Sequence, residues 1–206
     1  MVRKMNKVKV LFVASDPFRQ KPLDLAEEIR EITTKIRASE YRDVLQLLPA
    51  FAARPDDLLQ LLNEHRPQIV HFSSHGTKSE ELVMQGEGGQ PKAVSKQALK
   101  RLFRTMKGNI RLVLLNSCYS ETQAEAITEE IDCTIGMNRA ISDRAAIVLA
   151  GAFYRAIGFG ESVQMAFEQA MTALMLEGIP EEDTAILKCG PGIDANQIVL
   201  VPLAFP

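Results

Sequence analysis

His75 and Cys118 are the residues of this 206-residue chain whose types and settings point most directly to chemistry. Each closes an apolar run. Val70-His71-Phe72-Ser73-Ser74 leads into His75-Gly76, and Leu112-Val113-Leu114-Leu115-Asn116-Ser117 leads into Cys118-Tyr119-Ser120. A thiol beside an imidazole is the minimum set for a cysteine nucleophile: the ring moves the proton and the thiolate attacks a carbonyl. Both runs are rich in Val and Leu and lack alternation. They read as strands buried on both faces of a parallel sheet. Ligands of such sheets bind off the carboxyl ends of the strands, so neighbouring strands would deliver both side chains to one edge.

The local settings sharpen this. Ser120-Glu121-Thr122-Gln123 fits a capping box, with a helix beginning just past Cys118. Free amides and the positive end of a helix dipole would then lower the thiol's pKa. The plainer reading of Cys118 is a small buried hydrophobe. His75 follows two serines, which leave room, and precedes Gly76, where the backbone can approach a ligand and offer an amide to an oxyanion. The plainer reading of His75 is a surface turn residue. His71 lies inside its strand and reads as a hydrogen-bonded core histidine. His65 ends a helix, where the dipole accounts for it.

The elements that must carry these residues follow in order. Val8–Ser15 reads as a first strand, closed by the Asp16-Pro17 turn signal. A helix opens near Pro22, with Leu25, Ile29, Ile32 and Ile36 inside, Glu27 and Glu28 early, and Lys35 and Arg37 late. Asp43–Ala52 is a second strand, Arg54-Pro55-Asp56-Asp57 opens a second helix, and Gln68–Ser73 is a third strand. Glu81–Gln85 and Pro91–Val94 flank a Gly-rich hairpin tip. Ser95 caps a third helix, Asn109–Leu115 is a fourth strand, and a short helix follows from Glu121. Asp132–Met137 is a fifth strand. Asp143 caps a helix to Ile157, and Glu161–Glu177 is a further amphipathic helix. Thr184–Lys188 and Gln197–Val201 are weaker strands. Alternating helices and strands define an α/β class with a mainly parallel sheet, read as a single domain over residues 1–206.

Composition narrows the function classes. Apolar residues make up 46% and charged residues 24%, and the net charge of −2 is spread along the chain, which indicates neither a nucleic-acid nor a membrane surface. The longest apolar run, near Ala145–Tyr154, is about half a membrane span. The basic stretch before Val8 reads as a lead-in to the first strand rather than a signal peptide. Cys118, Cys133 and Cys189 are few and odd in number, which fits a reduced, cytoplasmic protein. No Cys or His pair has metal-ligand spacing, so no metal or other cofactor is expected.

His75 precedes Cys118 by 43 residues, close to the caspase-type spacing, although the caspase signature around the Cys is absent. With these motifs, "VHFSSHG" and "VLLNSCYS", and with "LDLAEEIREI", "AEAI" and "AFYRAIGFGESVQMAFEQA", the chain resembles the CHAT-type caspase-like peptidases of bacteria. These are grouped with caspases, metacaspases, separase and gingipains. The resemblance runs from Val8 to Leu187. It implies a caspase-like three-layer sandwich with sheet order 2-1-3-4-5-6, a small inserted hairpin, and the dyad on adjacent strands. It further implies His75 as general acid and base, Cys118 as nucleophile, and the amides of Gly76 and Cys118 as oxyanion hole. The family's Ser-Leu-Trp-type segment after the fifth strand is replaced by Ile135-Gly136-Met137-Asn138, which should border the substrate channel. Asp16, Asn138 and Asp143 are candidates for the first specificity pocket, and an acidic pocket there would favour a basic residue before the cut. For Asp143 the helix-cap role competes with this.

The leading expectation is a cysteine endopeptidase cutting a specific protein target in a bacterial defence or regulated-death pathway. It implies a protein substrate, a regulatory or sensor partner, and a possible homodimer. The alternative is a caspase-like interaction module that keeps the fold without turnover. A phosphate binder is disfavoured, because the first strand ends in Ser15-Asp16-Pro17 without a Gly-rich turn, and Gly86-Glu87-Gly88-Gly89 lies in a hairpin.

Overall fold

A computed structural model describes residues 7–18, 22–77 and 79–201; most of the basic lead-in lies outside them. Six strands form the main sheet: β1 (Val8–Ser15), β2 (Leu45–Ala50), β3 (Ile69–Gly76), β6 (Leu112–Asn116), β7 (Cys133–Met137) and β8 (Ala185–Cys189). Their order is β2-β1-β3-β6-β7-β8, parallel except for the antiparallel edge pair β7–β8. With the hairpin set aside, this is the expected order 2-1-3-4-5-6. The hairpin, β4 (Leu82–Gln85) and β5 (Pro91–Val94), is antiparallel and hangs on the overhanging end of β3, where His75 pairs with Val83 and Gly76 with Leu82.

Strand alternation explains the layers. On β1, Val10, Phe12 and Ala14 enter one core, while Leu11 and Val13 enter the other. The first core is covered by α1 (Leu25–Arg37), α5 (Asp143–Gly158) and α6 (Val163–Leu176), through Ile32, Ile36, Leu149, Phe153 and Ala170. The second is covered by α2 (Asp57–His65), α3 (Lys96–Met106) and α4 (Glu121–Thr128), through Leu58, Leu62, Leu99, Phe103 and Ile127. A sheet buried on both faces needs apolar residues at consecutive positions, and that requirement produces the unalternating runs in the sequence.

Several boundaries differ from expectation. Asp24 caps α1 by accepting from the Glu27 amide, so Pro22 lies ahead of the helix. Ser142, not Asp143, caps α5: its hydroxyl accepts from the Ala145 amide, and Asp143 becomes the first helical residue. Gln197–Val201 forms no strand. A short 3-10 turn occupies Ala195–Gln197, the Ile198 carbonyl is used by the Val163 amide, and Val199 makes an isolated bridge to Ser162. That segment seals the start of α6 instead of extending the sheet. Among the described residues no helix is long and apolar enough to cross a membrane.

Candidate active site

Register brings the two candidate residues together. Ser73 on β3 pairs with Asn116 on β6, and His75 and Cys118 each follow their paired residue by two positions. The chains stay close beyond the last pair. A Cβ built on Gly76 would lie 1.9 Å from the Cys118 carbonyl oxygen, so only glycine permits this approach. His75 and Cys118 both bound one small cleft of about 40 Å³ at the carboxyl edge of the sheet.

The loop after β6 has its own geometry. Tyr119 adopts a left-handed conformation at φ 55°, uncommon for a bulky residue, and its amide donates to the Arg139 carbonyl at 3.2 Å. The capping box does not form. Ser120 is fully buried; its hydroxyl donates to the Leu115 carbonyl at 3.1 Å and accepts from the Met137 amide at 2.9 Å. It ties β6 to β7 and leaves α4 without a side-chain cap. Gln123, the expected partner, is buried with its amide oxygen unpaired. Gly136 makes the close approach possible, since a Cβ there would sit 2.9 Å from the Ser120 carbonyl oxygen.

The imidazole is held from behind. His75 Nε2 lies 3.0 Å from Asp16 Oδ1, and an ionised carboxylate can only accept, so Nε2 carries the proton and Nδ1 offers the lone pair. Asp16 is itself fixed by the Leu23 amide, 3.0 Å from Oδ2. The Phe18 ring meets the imidazole edge-on at 4.9 Å. The thiol's hydrogen bond goes to the Ile141 carbonyl at 3.8 Å, a long contact.

Acidic groups dominate the cleft. Asp24, Glu28 and Asp143 bound it, and among the described residues that do so only His75 can carry positive charge. Burial raises the Asp143 carboxyl's pKa above the usual range; His75 opposes this, while Asp24, Glu28 and Asp16 add to it. Glu28 is 3% exposed and accepts from Ser73 Oγ at 2.5 Å and Asn116 Nδ2 at 2.6 Å, bolting α1 to the last β3–β6 pair. His71 Nε2 sits 3.2 Å from Glu28 but off hydrogen-bonding angle, and its Nδ1 lies 3.2 Å from the Tyr154 hydroxyl. The amide oxygen of Asn116 and the hydroxyl of Ser117 are buried without partners at the same cleft.

The structure therefore gathers His75, Cys118 and Asp143 at the cleft, with Gly76 packed on the Cys118 carbonyl and Asp16 bonded to the imidazole. Asn138 stands apart: its side chain donates to the Asp183 carbonyl at 2.9 Å, and it does not bound the cleft. Ile135, Gly136 and Met137 are buried as β7, so the channel border comes from Ile141 and Asp143 instead. Asp24, Glu28 and Asn116 were not singled out in the sequence as site residues. Glu28 did carry a signal, because a carboxylate between Leu25 and Ile32 falls on the helix face turned to the core.

The fold and this edge define a caspase-like α/β protein. Within that class the sequence matches the CHAT domain family over residues 3–186, and the chain belongs to that family. It is 28% identical over 184 residues to a Roc-COR-CHAT protease from an unknown prokaryotic organism, covering 86% of this chain and 17% of that protein. It is 24% identical over 178 residues to a probable protease of Gillisia limnaea, covering 84% of this chain and 32% of that one. The chain thus spans a third or less of the length of these relatives. Its fold is similar to that of a secreted C11 cysteine protease from Bacteroides thetaiotaomicron, solved with an irreversible peptide inhibitor. The TM-score is 0.60 at 12% identity, over 89% of this chain and 66% of that one.

Proposed function

We propose that this chain is a cysteine endopeptidase with Cys118 as nucleophile and His75 as general acid and base. The observation that carries the reading is the packing of Gly76 on the Cys118 carbonyl, beside an imidazole already oriented by Asp16. His75 Nδ1 takes the thiol proton, and the thiolate attacks a peptide carbonyl. The ring then donates that proton to the leaving amine and activates water to release the acyl-enzyme. The amides of Gly76 and Cys118 receive the oxyanion. Asp24, Glu28 and Asp143, with the unpaired Asn116 oxygen, favour a Lys or Arg side chain before the scissile bond. The named relatives support a protein substrate, and control by a partner or sensor in a defence or regulated-death pathway is part of this proposal.

Peptides cut after Arg or Lys, assayed with the Cys118→Ala and His75→Ala variants, test it. Cleavage should vanish in both; persistence in either refutes the dyad. The thiol's bond to Ile141 rather than to the imidazole favours a second reading, a resting module that turns over only with a partner. Selective alkylation of Cys118 over Cys133 and Cys189 supports the enzyme, and equal reactivity supports the module.

A further inference from the structure

Cys133 and Cys189 face one another across the antiparallel pair β7–β8 as direct register partners. The Gly190 amide donates to the Asp132 carbonyl and the Asn138 amide to the Thr184 carbonyl, which fixes which pairs along the ladder are hydrogen-bonded. Alternation from either end makes Cys133 and Cys189 a non-hydrogen-bonded pair. At such sites Cα atoms stand about 4.5 Å apart and side chains are at their closest, within the span of roughly 4.4–6.8 Å that a disulfide bridges. The two sulfurs are 2.7 Å apart, and both cysteines are free.

We propose that Cys133 and Cys189 form an oxidisable dithiol that closes to a cross-strand disulfide, while Cys118 stays a free thiol. The co-reactant is a low-molecular-weight disulfide. The Cys189 thiolate, on the more accessible residue, attacks one sulfur of that disulfide and releases one small thiolate. The Cys133 thiolate then attacks the Cys189 sulfur and releases the second. Two protein thiols are oxidised, one small disulfide is reduced to two thiols, and the two protein protons pass through solvent to the released thiolates. Burial and the neighbouring sulfur push the Cys133 thiol up, so closure is faster in alkaline solution.

The bond would have a structural consequence near the cleft. It would fasten edge strand β8, and the Thr184 hydroxyl just before that strand accepts from Arg139 Nε at 2.9 Å. The Arg139 carbonyl in turn holds the amide of Tyr119, next to Cys118. Oxidation would therefore stiffen the frame behind the thiol without touching it.

The test incubates the reduced, folded chain with oxidised glutathione, quenches with acid, alkylates the remaining thiols and maps peptides by mass spectrometry. Free thiols should fall from three to one, with the mass of two hydrogens lost and a Cys133–Cys189 cross-linked peptide. The melting temperature should rise by about 5 °C or more and return on reduction. Cys118→Ser should give the same cross-link, and Cys189→Ser should lose it without any new bridge. Glutathione adducts on separate cysteines, a bridge that includes Cys118, or no cross-link after prolonged alkaline incubation would overturn the proposal.

Discussion

Asp143 carries its charge into a cleft already bounded by Asp24 and Glu28, and burial raises its pKa. An ionised group with a raised pKa opposes folding once pH exceeds its ordinary value, and its protonation below that value removes the penalty. Asp143→Asn should therefore raise the melting temperature at pH 7, and the gain should disappear once the pH drops below about 4. The same variant should raise KM for substrates with a basic residue before the cut, measured against a neutral counterpart. If both substrates respond alike, Asp143 is not part of the specificity pocket. Asp16 acts on the imidazole instead. Asp16→Asn should lower kcat on the order of 10²–10⁴-fold with KM little changed, because the ring loses the partner that fixes its tautomer. His75, Gly76 and Cys118 were legible in the sequence because each ends or interrupts a strongly patterned strand. Asp24 and Asn116 were not, because their places at the cleft depend on how α1 crosses the ends of β3 and β6. Asp16 was named in the sequence as a candidate for the specificity pocket, and its contact with the imidazole was not foreseen, since only the path of the chain after β1 turns its carboxylate onto the ring.

The elements place these residues through one close approach that nothing larger than glycine can replace and one buried hydroxyl that bridges two strands. Gly76→Ala would drive a methyl into the Cys118 carbonyl, and should cost about 1–3 kcal/mol in urea unfolding along with most of the activity. Wild-type turnover in a stably folded Gly76→Ala chain would show that the strand ends sit farther apart than described. Ser120→Ala removes the hydroxyl that joins the β6 carbonyl to the β7 amide and should destabilise the fold by about 1–3 kcal/mol, read from the denaturation midpoint. A capping role would predict a smaller loss, confined to the helicity of α4. Helix identity followed from a period of about 3.6 residues and strand identity from unbroken apolar runs, with Gln197–Val201 the exception. The start of α1 moved past Pro22 to Leu25, and the cap of α5 moved one residue, from Asp143 to Ser142, because adjacent polar residues compete for the same amides. The Ser120 motif misled because its hydroxyl is buried between strands, where a backbone carbonyl and amide outcompete its own helix.

At the scale of the molecule, a sheet sealed on both faces leaves its carboxyl edge as the place where polar groups converge, and the cleft lies there. The sheet order was legible only through the resemblance to the CHAT-type peptidases, since the residues of the strands mark them as buried without ranking their neighbours. The edge strand was the least certain, since β8 is only partly buried and pairs on one side. The account rests on Cys118 being a nucleophile in an acidic cleft. The most direct measurement uses peptidyl acyloxymethyl ketones with Arg or Asp at the position before the warhead, read by intact mass and peptide mapping. The expected result is one adduct, on Cys118, formed at least tenfold faster with Arg than with Asp and slowed in His75→Ala. Labelling spread over Cys118, Cys133 and Cys189, or equal rates with the two probes, would contradict it.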